Sequence, residues 1–175
     1  IPISVLIRAS DFLVCMSKYW KNKITERGYY VQKNQVSKSA PSGEYISTGS
    51  FMIRGKKNYL PESKLELGIG LLFIKKGDGE ENYLDNLLEN PSKVDQEELN
   101  SCIVVLAPYL ALSKYKYSVK LKPGNGRNKK ITKSILQIFL NNKKITLKER
   151  YLIKNIPLQD LSSSIRSNVY LCNKK

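Results

Sequence analysis

Between Leu65 and Phe73 every second position is apolar: Leu65, Leu67, Ile69, Leu71 and Phe73, with Glu66, Gly68 and Gly70 between them. Strict alternation predicts a β-strand with one buried face. The two glycines leave the other face bare, so another element is expected to lie close against it. The same period of two returns from Lys114 to Lys122. Tyr115, Tyr117, Val119 and Leu121 hold the odd positions, and Lys114, Lys116, Ser118, Lys120 and Lys122 the even ones. This pattern predicts a strand that buries one face and presents a row of ammonium groups on the other. Pro123, Gly124, Asn125 and Gly126 supply a turn after it. Cys102–Ala107 reads as an apolar strand ended by Pro108, Val169–Cys172 as a short one, and Tyr29–Val36 and Tyr45–Arg54 as stretches rich in β-formers.

Spacings of three and four mark the helices. Val5, Ala9, Phe12, Met16 and Trp20 form one stripe, which predicts a helix from Val5 to Ile24 with a stop at Gly28. Ile131, Ile135 and Ile138 predict another from Lys129 to Asn141. Thr146 with Glu149 three residues on is a capping-box signature, and Pro157 ends or kinks the helix that it opens. The expected class is α+β. A first unit packs a helix on a mostly antiparallel sheet. A small carboxy-terminal unit combines the lysine-faced strand with two or more helices.

Charge divides the 175 residues into three. Residues 1–76 carry 13 basic and 5 acidic side chains, a net +8. Residues 77–98 carry one lysine against 8 acids, a net −7, and contain Gly77, Gly79 and Pro91. Residues 99–175 carry 16 basic and 2 acidic side chains, a net +14. The middle stretch reads as an acidic linker or surface insertion between two basic folded units. The overall +15 calls for a polyanionic partner, nucleic acid or an acidic membrane surface. Lysine outnumbers arginine 24 to 6. An AT-rich coding bias accounts for that choice of residue but not for where the charge sits.

Several chemistries are excluded or unsupported. With no histidine, His-based catalysis and His-containing metal sites are excluded within the chain. Cys15, Cys102 and Cys172 form no CxxC pair; they read as reduced thiols of the cytosol or nucleus. Gly68-x-Gly70 and Gly124-x-Gly126 lack the third glycine of a dinucleotide fingerprint, and no phosphate-binding GxxxxGK[ST] run is present. Glu44, Glu62 and Glu66 are scattered, and no nucleophile–base pair is found. The expectation is a binding protein rather than an enzyme, with no cofactor and no metal. No apolar run approaches the ~20 residues that a membrane span needs, which leaves the expectation of a soluble protein; no membrane is among the expected partners. The chain opens on Ile1-Pro2 without a signal-peptide pattern, and is expected to be a piece of something longer.

Two basic clusters are the candidate phosphate-binding sites. Arg54, Lys56 and Lys57 flank Gly55 just after an apolar strand, and Lys38 follows Val36 closely enough to join them. A solvated hairpin end accounts for the same triplet equally well. The second cluster is Lys114, Lys116, Lys120 and Lys122 with Arg127, Lys129 and Lys130. The last two fall at a helix N-terminus, where free N–H groups favour an anion and a lysine is locally unfavourable. Tyr45, Tyr59, Tyr109 and Tyr115 offer rings on which bases stack, although core packing competes for each.

Two long motifs add a resemblance. Gln35 to Pro61, QVSKSAPSGEYISTGSFMIRGKKNYLP, resembles the second half of the RNA-binding domain of the NFACT family, the group of the nuclear export mediator factor and its fungal, archaeal and bacterial relatives. The preceding helix with Cys15-Met16-Ser17-x-x-Trp20 fits the same domain. Val105 to Gly124, VLAPYLALSKYKYSVKLKPG, is similar to the carboxy-terminal domain of that family, and Lys129-Lys130, Glu149-Arg150 and Asp160-Leu161-Ser162 continue it. The resemblance implies a cytoplasmic, ribosome-associated quality-control factor, with a nuclear pool also compatible. Such factors bind a large ribosomal subunit that holds stalled peptidyl-tRNA, help recruit a listerin-type E3 ubiquitin ligase, and in some members bring in tRNA for tail extension of the nascent chain. The implied partners are therefore large-subunit rRNA, tRNA and the ligase. The family's amino-terminal domain, coiled coil and the first half of its RNA-binding domain have no counterpart here, so no tail-extension residue is carried over. The reading from a different class is a protein-interaction module that docks a ligase or a nuclear export partner, with its lysines solvated.

Overall fold

The computed structural model describes residues 1–77, 80–165 and 168–172. Helix α1 (Ile3–Cys15) and a short α2 (Lys18–Asn22) come first. The single helix expected from Val5 to Ile24 is broken because Ser17 takes the chain out of register. Its hydroxyl donates to the Val14 carbonyl and accepts from the Tyr19 N–H, which makes it the N-cap of α2. The buried face of α1 also differs from the predicted stripe: Val5 is exposed, whereas Ser10, Asp11, Val14 and Cys15 are buried. Apolar spacing could not register two polar residues held inside by hydrogen bonds. The Ser10 and Ser63 hydroxyls are 3.1 Å apart, and Asp11 Oδ1 accepts from the Lys64 N–H.

Two small antiparallel pairs follow. Strand β1 (Arg27–Tyr30) pairs with β4 (Asn58–Glu62), and β2 (Val36–Ser37) with β3 (Met52–Ile53). The β-rich stretches at 29–36 and 45–54 therefore yield only short strands, joined by loops and turns. Strand β5 (Leu67–Lys75) begins the main sheet. One of its edges pairs with β7 (Leu99–Pro108) from Leu67↔Pro108 to Lys75↔Leu99. The other edge pairs with β8 (Ser118–Gly126) at Leu67–Gly70 and with β6 (Leu87–Leu88) at Phe73–Ile74. Strand β9 (Val169–Cys172) completes the antiparallel sheet beside β8. The expected α+β class holds, with β5, from within residues 1–76, at the centre of the sheet that carries the carboxy-terminal strands.

Leu67, Ile69, Leu71 and Phe73 are buried on one face of β5, as the alternation predicts. They share a core with Tyr117, Val119 and Leu121 and with residues of α3 (Asn128–Leu140), α4 (Leu147–Lys154) and α5 (Leu158–Ser164). Ile135, Phe139, Ile153 and Leu161 are the most deeply buried of these helical residues. Each large apolar side chain so placed contributes ~1.5–3 kcal/mol relative to exposure. On the other face, a Cβ at Gly68 would lie 2.6 Å from Leu112 Cδ1 and 3.2 Å from Tyr109 Cα, and one at Gly70 would lie 2.9 Å from Tyr115 Cδ2. The close approach expected at the bare face is thus made by the segment after β7.

Described residues of the acidic stretch pack against the same body. Its residues 78 and 79 lie outside the described residues, Gly79 among them. Beyond a 3-10 turn at Glu80–Asn86, Pro91 is buried, and Ser92 Oγ and Gln96 Oε1 bond to Lys116 and Thr146. Among the described residues no helix is long and apolar enough to cross a membrane.

Candidate nucleic-acid interface

The predicted lysine face requires correction first. Strand β8 starts only at Ser118, so Lys114 and Lys116 precede it in a turn. Lys116 points inward, its side chain 9% exposed. Its ammonium donates to Glu149 Oε1 at 2.6 Å, to the Lys144 carbonyl at 2.9 Å and to Ser92 Oγ at 2.8 Å. Glu149 is fully buried and also accepts from the Tyr117 hydroxyl at 2.7 Å. Burial first, then the bond to Glu149, raise the Tyr117 phenol above its ordinary range. Burial raises Tyr115 as well, with the Glu89 charge behind it. A lysine with three acceptors and a buried carboxylate partner is part of the scaffold, not of a phosphate surface.

Lys120 and Lys122 do lie on β8, but Glu66 stands between them. Its Oε1 is 3.9 Å from Lys120 Nζ and 3.8 Å from Lys122 Nζ, and Lys120 also sits 4.9 Å from the Tyr109 ring centroid. Lys122 retains about half of its exposure. Lys114, Arg127, Lys129 and Lys130 are exposed and, among the described residues, make no ion pair. Arg127 is the N-cap of α3 without a side-chain cap, and Lys129 and Lys130 occupy its first turn. A shallow cavity of about 540 Å³ there is lined by Asn128, Lys129, Thr132, Lys133, Gln159 and Ser162.

Arg54, Lys56 and Lys57 occupy the loop between β3 and β4, where Gly55 adopts φ +79°. Gln35 Nε2 donates to the carbonyls of both Arg54 and Lys56, at 2.8 and 2.9 Å. The backbone of the loop is thereby pinned while its cationic side chains stay in solvent. Lys57 Nζ lies 4.6 Å from the Tyr29 ring centroid, and Lys38 Nζ lies 6.0 Å from that of Phe51. Tyr45 and Tyr59 are exposed, whereas Tyr109 and Tyr115 are half-buried.

The fold also assembles cations that sequence spacing could not connect. A depression of about 370 Å³ is lined by Lys23, Lys64, Leu65, Glu66, Lys122 and Pro123. A neighbouring one of about 480 Å³ shares Lys23 and Pro123 and adds Lys21, Gly124 and Asn125. Lys23 ends α2 in the left-handed region at φ 57°, which a lysine rarely adopts. Lys21, Lys23 and Lys64 belong to the amino-terminal elements and Lys122 to the main sheet. The only sequence sign of this meeting is the apolar Trp20 beside Lys21, which is 3% exposed in the shared core.

Residues 1–55 match the family model of the NFACT protein RNA binding domain, and residues 78–172 match that of the NFACT protein C-terminal domain. Strands β4 and β5 fall between the two matches. A relative described as ribosome quality control complex subunit NEMF homolog, from Drosophila melanogaster, is 49% identical over 73 residues, which is 42% of this chain and 7% of the relative. The Homo sapiens subunit NEMF is 48% identical over 73 residues, again 42% of this chain and 7% of the relative. An archaeal Rqc2 homologue of Methanocaldococcus jannaschii is 31% identical over 135 residues, 77% of this chain and 17% of the relative. The chain therefore spans a small part of the length of the relatives it matches. With the carboxy-terminal model alone matching residues 78–172, more than half of its length, the chain belongs to the NFACT family.

Proposed function

We propose that this chain is the RNA-contacting part of a ribosome quality-control factor, and that it works by binding without chemistry of its own. One observation carries the reading: Lys23, Lys64 and Lys122 line a single depression, with Lys21 in the neighbouring one, and the carboxylate on its wall, Glu66, pairs with Lys122. Clustered lysines in such excess over carboxylate neutralise neighbouring phosphates and release their counterions. The exposed Lys38, Arg54, Lys56 and Lys57 of the amino-terminal loops, and Lys114, Arg127, Lys129 and Lys130 of the carboxy-terminal part, extend the cationic surface. The names of the relatives, ribosome quality control complex subunits, support a ribosomal setting; the large subunit carrying stalled peptidyl-tRNA, with rRNA and tRNA as the polyanions, is what the family resemblance implies. Support for recruitment of a listerin-type ligase and for tail extension rests on the family resemblance.

The test is binding of the 175-residue chain to purified large subunits over a series of salt concentrations. Reversal of Lys23, Lys64 and Lys122 to glutamate should weaken binding and reduce the salt slope by ~0.7–0.9 log units per decade for each phosphate that is no longer neutralised. A triple variant that binds like the parent with an unchanged slope would refute the proposal. The second reading, a protein-docking module, draws on β7. Among the described residues no strand pairs with its outer edge, and Ile103 on it is exposed. A partner held there would bind with little dependence on salt.

A further inference from the structure

Strands β1 and β4 place two tyrosines at facing positions of an antiparallel pair, Tyr29↔Tyr59. Their ring centroids are 5.7 Å apart with the planes tilted by 58°. Both residues remain partly open to solvent: Tyr29 is 41% and Tyr59 57% exposed. Alternation along a strand puts Arg27 on the Tyr29 face, and Lys57, which directly precedes β4, on the Tyr59 face. The cations cross over. Arg27 Cζ lies 5.6 Å from the Tyr59 centroid and Lys57 Nζ 4.6 Å from that of Tyr29. Arg27 is held in place by its Nε–H, which donates to the Leu60 carbonyl at 2.9 Å.

Among the described residues two carboxylates lie nearby, and neither forms an ion pair with Arg27 or Lys57. Glu26 accepts from the Arg27 backbone N–H, and Glu62 accepts from the Thr25 hydroxyl. Next to the rings lies a shallow depression of about 780 Å³ between α1 and β1, lined by Leu6, Leu13, Tyr19, Tyr29, Tyr30 and Tyr59. Two partly exposed rings, a cation over each and an apolar hollow beside them form a combination suited to flat rings strung on an anionic backbone.

We infer that Tyr29 and Tyr59 form a stacking platform for unpaired bases of single-stranded RNA, with Arg27 and Lys57 engaging the adjoining phosphates. The inference rests on the RNA-binding reading above and adds a class of ligand to it: a strand with free bases, as opposed to a duplex whose bases are already stacked on one another. The platform is sequence-tolerant, because every base presents a π face.

Anisotropy with a labelled single-stranded uridine–adenosine RNA tests it, beside a blunt duplex of the same length and an abasic strand with the same phosphates. The 175-residue chain should bind the base-bearing strand more tightly than the abasic one. Replacing both tyrosines, Tyr29→Leu with Tyr59→Leu, should weaken that binding by roughly 5- to 150-fold per ring, with an unchanged salt slope. It should also remove the preference over the abasic strand. Tyr29→Phe with Tyr59→Phe should bind like the parent, and a thermal melt checks folding of each variant. Quenching of 2-aminopurine placed in the strand should occur with the parent chain, a readout that needs no variant. Equal affinity of the parent for base-bearing and abasic strands, or parental affinity in the folded leucine variant, overturns the platform while RNA binding stands. If the parent binds none of the three RNAs, the RNA-binding reading itself fails.

Discussion

Lys116 and Glu149 show how one residue can mislead a pattern. The alternation through Lys114–Lys122 is real as sequence, yet the strand covers only its second half. Lys116 is recruited by a carboxylate 33 residues further on. The Thr146 cap of α4 was legible from spacing, and the Glu149 N–H does donate to Thr146 Oγ1 at 3.1 Å, while the Glu149 carboxylate accepts from the Thr146 hydroxyl in place of the backbone bond of a full capping box. The second role of that glutamate, as acceptor for Lys116 and Tyr117, depends on tertiary contacts that no local window contains. Removing one partner of a buried pair leaves the other charge uncompensated. Lys116→Ala should therefore destabilise the chain by about 3 kcal/mol in chemical denaturation, whereas Lys114→Ala should fall within ~0.5 kcal/mol of the parent. The thiols bring a pH dependence. Burial raises Cys15 and Cys102 to about 12, against ~8.5 in an unfolded chain. The folded state then keeps protons that the unfolded state has released. Their contribution is complete below about pH 8.5 and is lost as the pH climbs toward 12. Melting temperature should fall over that window, and a Cys15→Ala, Cys102→Ala variant should decline less steeply.

At the scale of elements, strict patterns translated well and diffuse ones did not. The alternating β5, the isoleucine-spaced α3 and the capped α4 stand close to where their residues predict. The β-rich stretches around 29–36 and 45–54 did not become long strands, because propensity without a repeating buried face sets no register. The glycines were informative because they marked close approach. Gly124 is closed in by backbone: an added Cβ would meet Tyr170 N at 2.7 Å and the Val169 carbonyl carbon at 2.9 Å. Backbone cannot swing aside as a side-chain tip can. Gly124→Ala should therefore cost ~1–3 kcal/mol by overpacking and loosen β8 from β9. Faster amide exchange at Tyr170 and Leu171 would report it, and unchanged exchange there would contradict it.

The whole molecule is where sequence reasoning had least purchase. Net charge by segment separates an acidic stretch from two basic ones, but charge says nothing about which strands pair across it. The sheet does: β5 lies before the acidic stretch and β7 after it, and they pair from Leu67↔Pro108 to Lys75↔Leu99. Cys15 and Trp20 from the amino-terminal helices share a core with Leu121, Leu152 and Val169. The basic depression exists only because those parts meet, with Lys23 and Lys64 on one side and Lys122 on the other. A chain cut once between β5 and β7, through a protease site introduced beside Asn86, makes this testable. Denaturing gels should show two fragments, but native gel filtration should show one particle, because the ladder between β5 and β7 and the core around Trp20 survive the cut. Trp20→Ala removes a large buried side chain, with a cost of ~3–5 kcal/mol, and should let the cut fragments part. If the fragments of the parent separate without denaturant, the two parts are independent bodies, and Lys23, Lys64 and Lys122 no longer constitute one phosphate site.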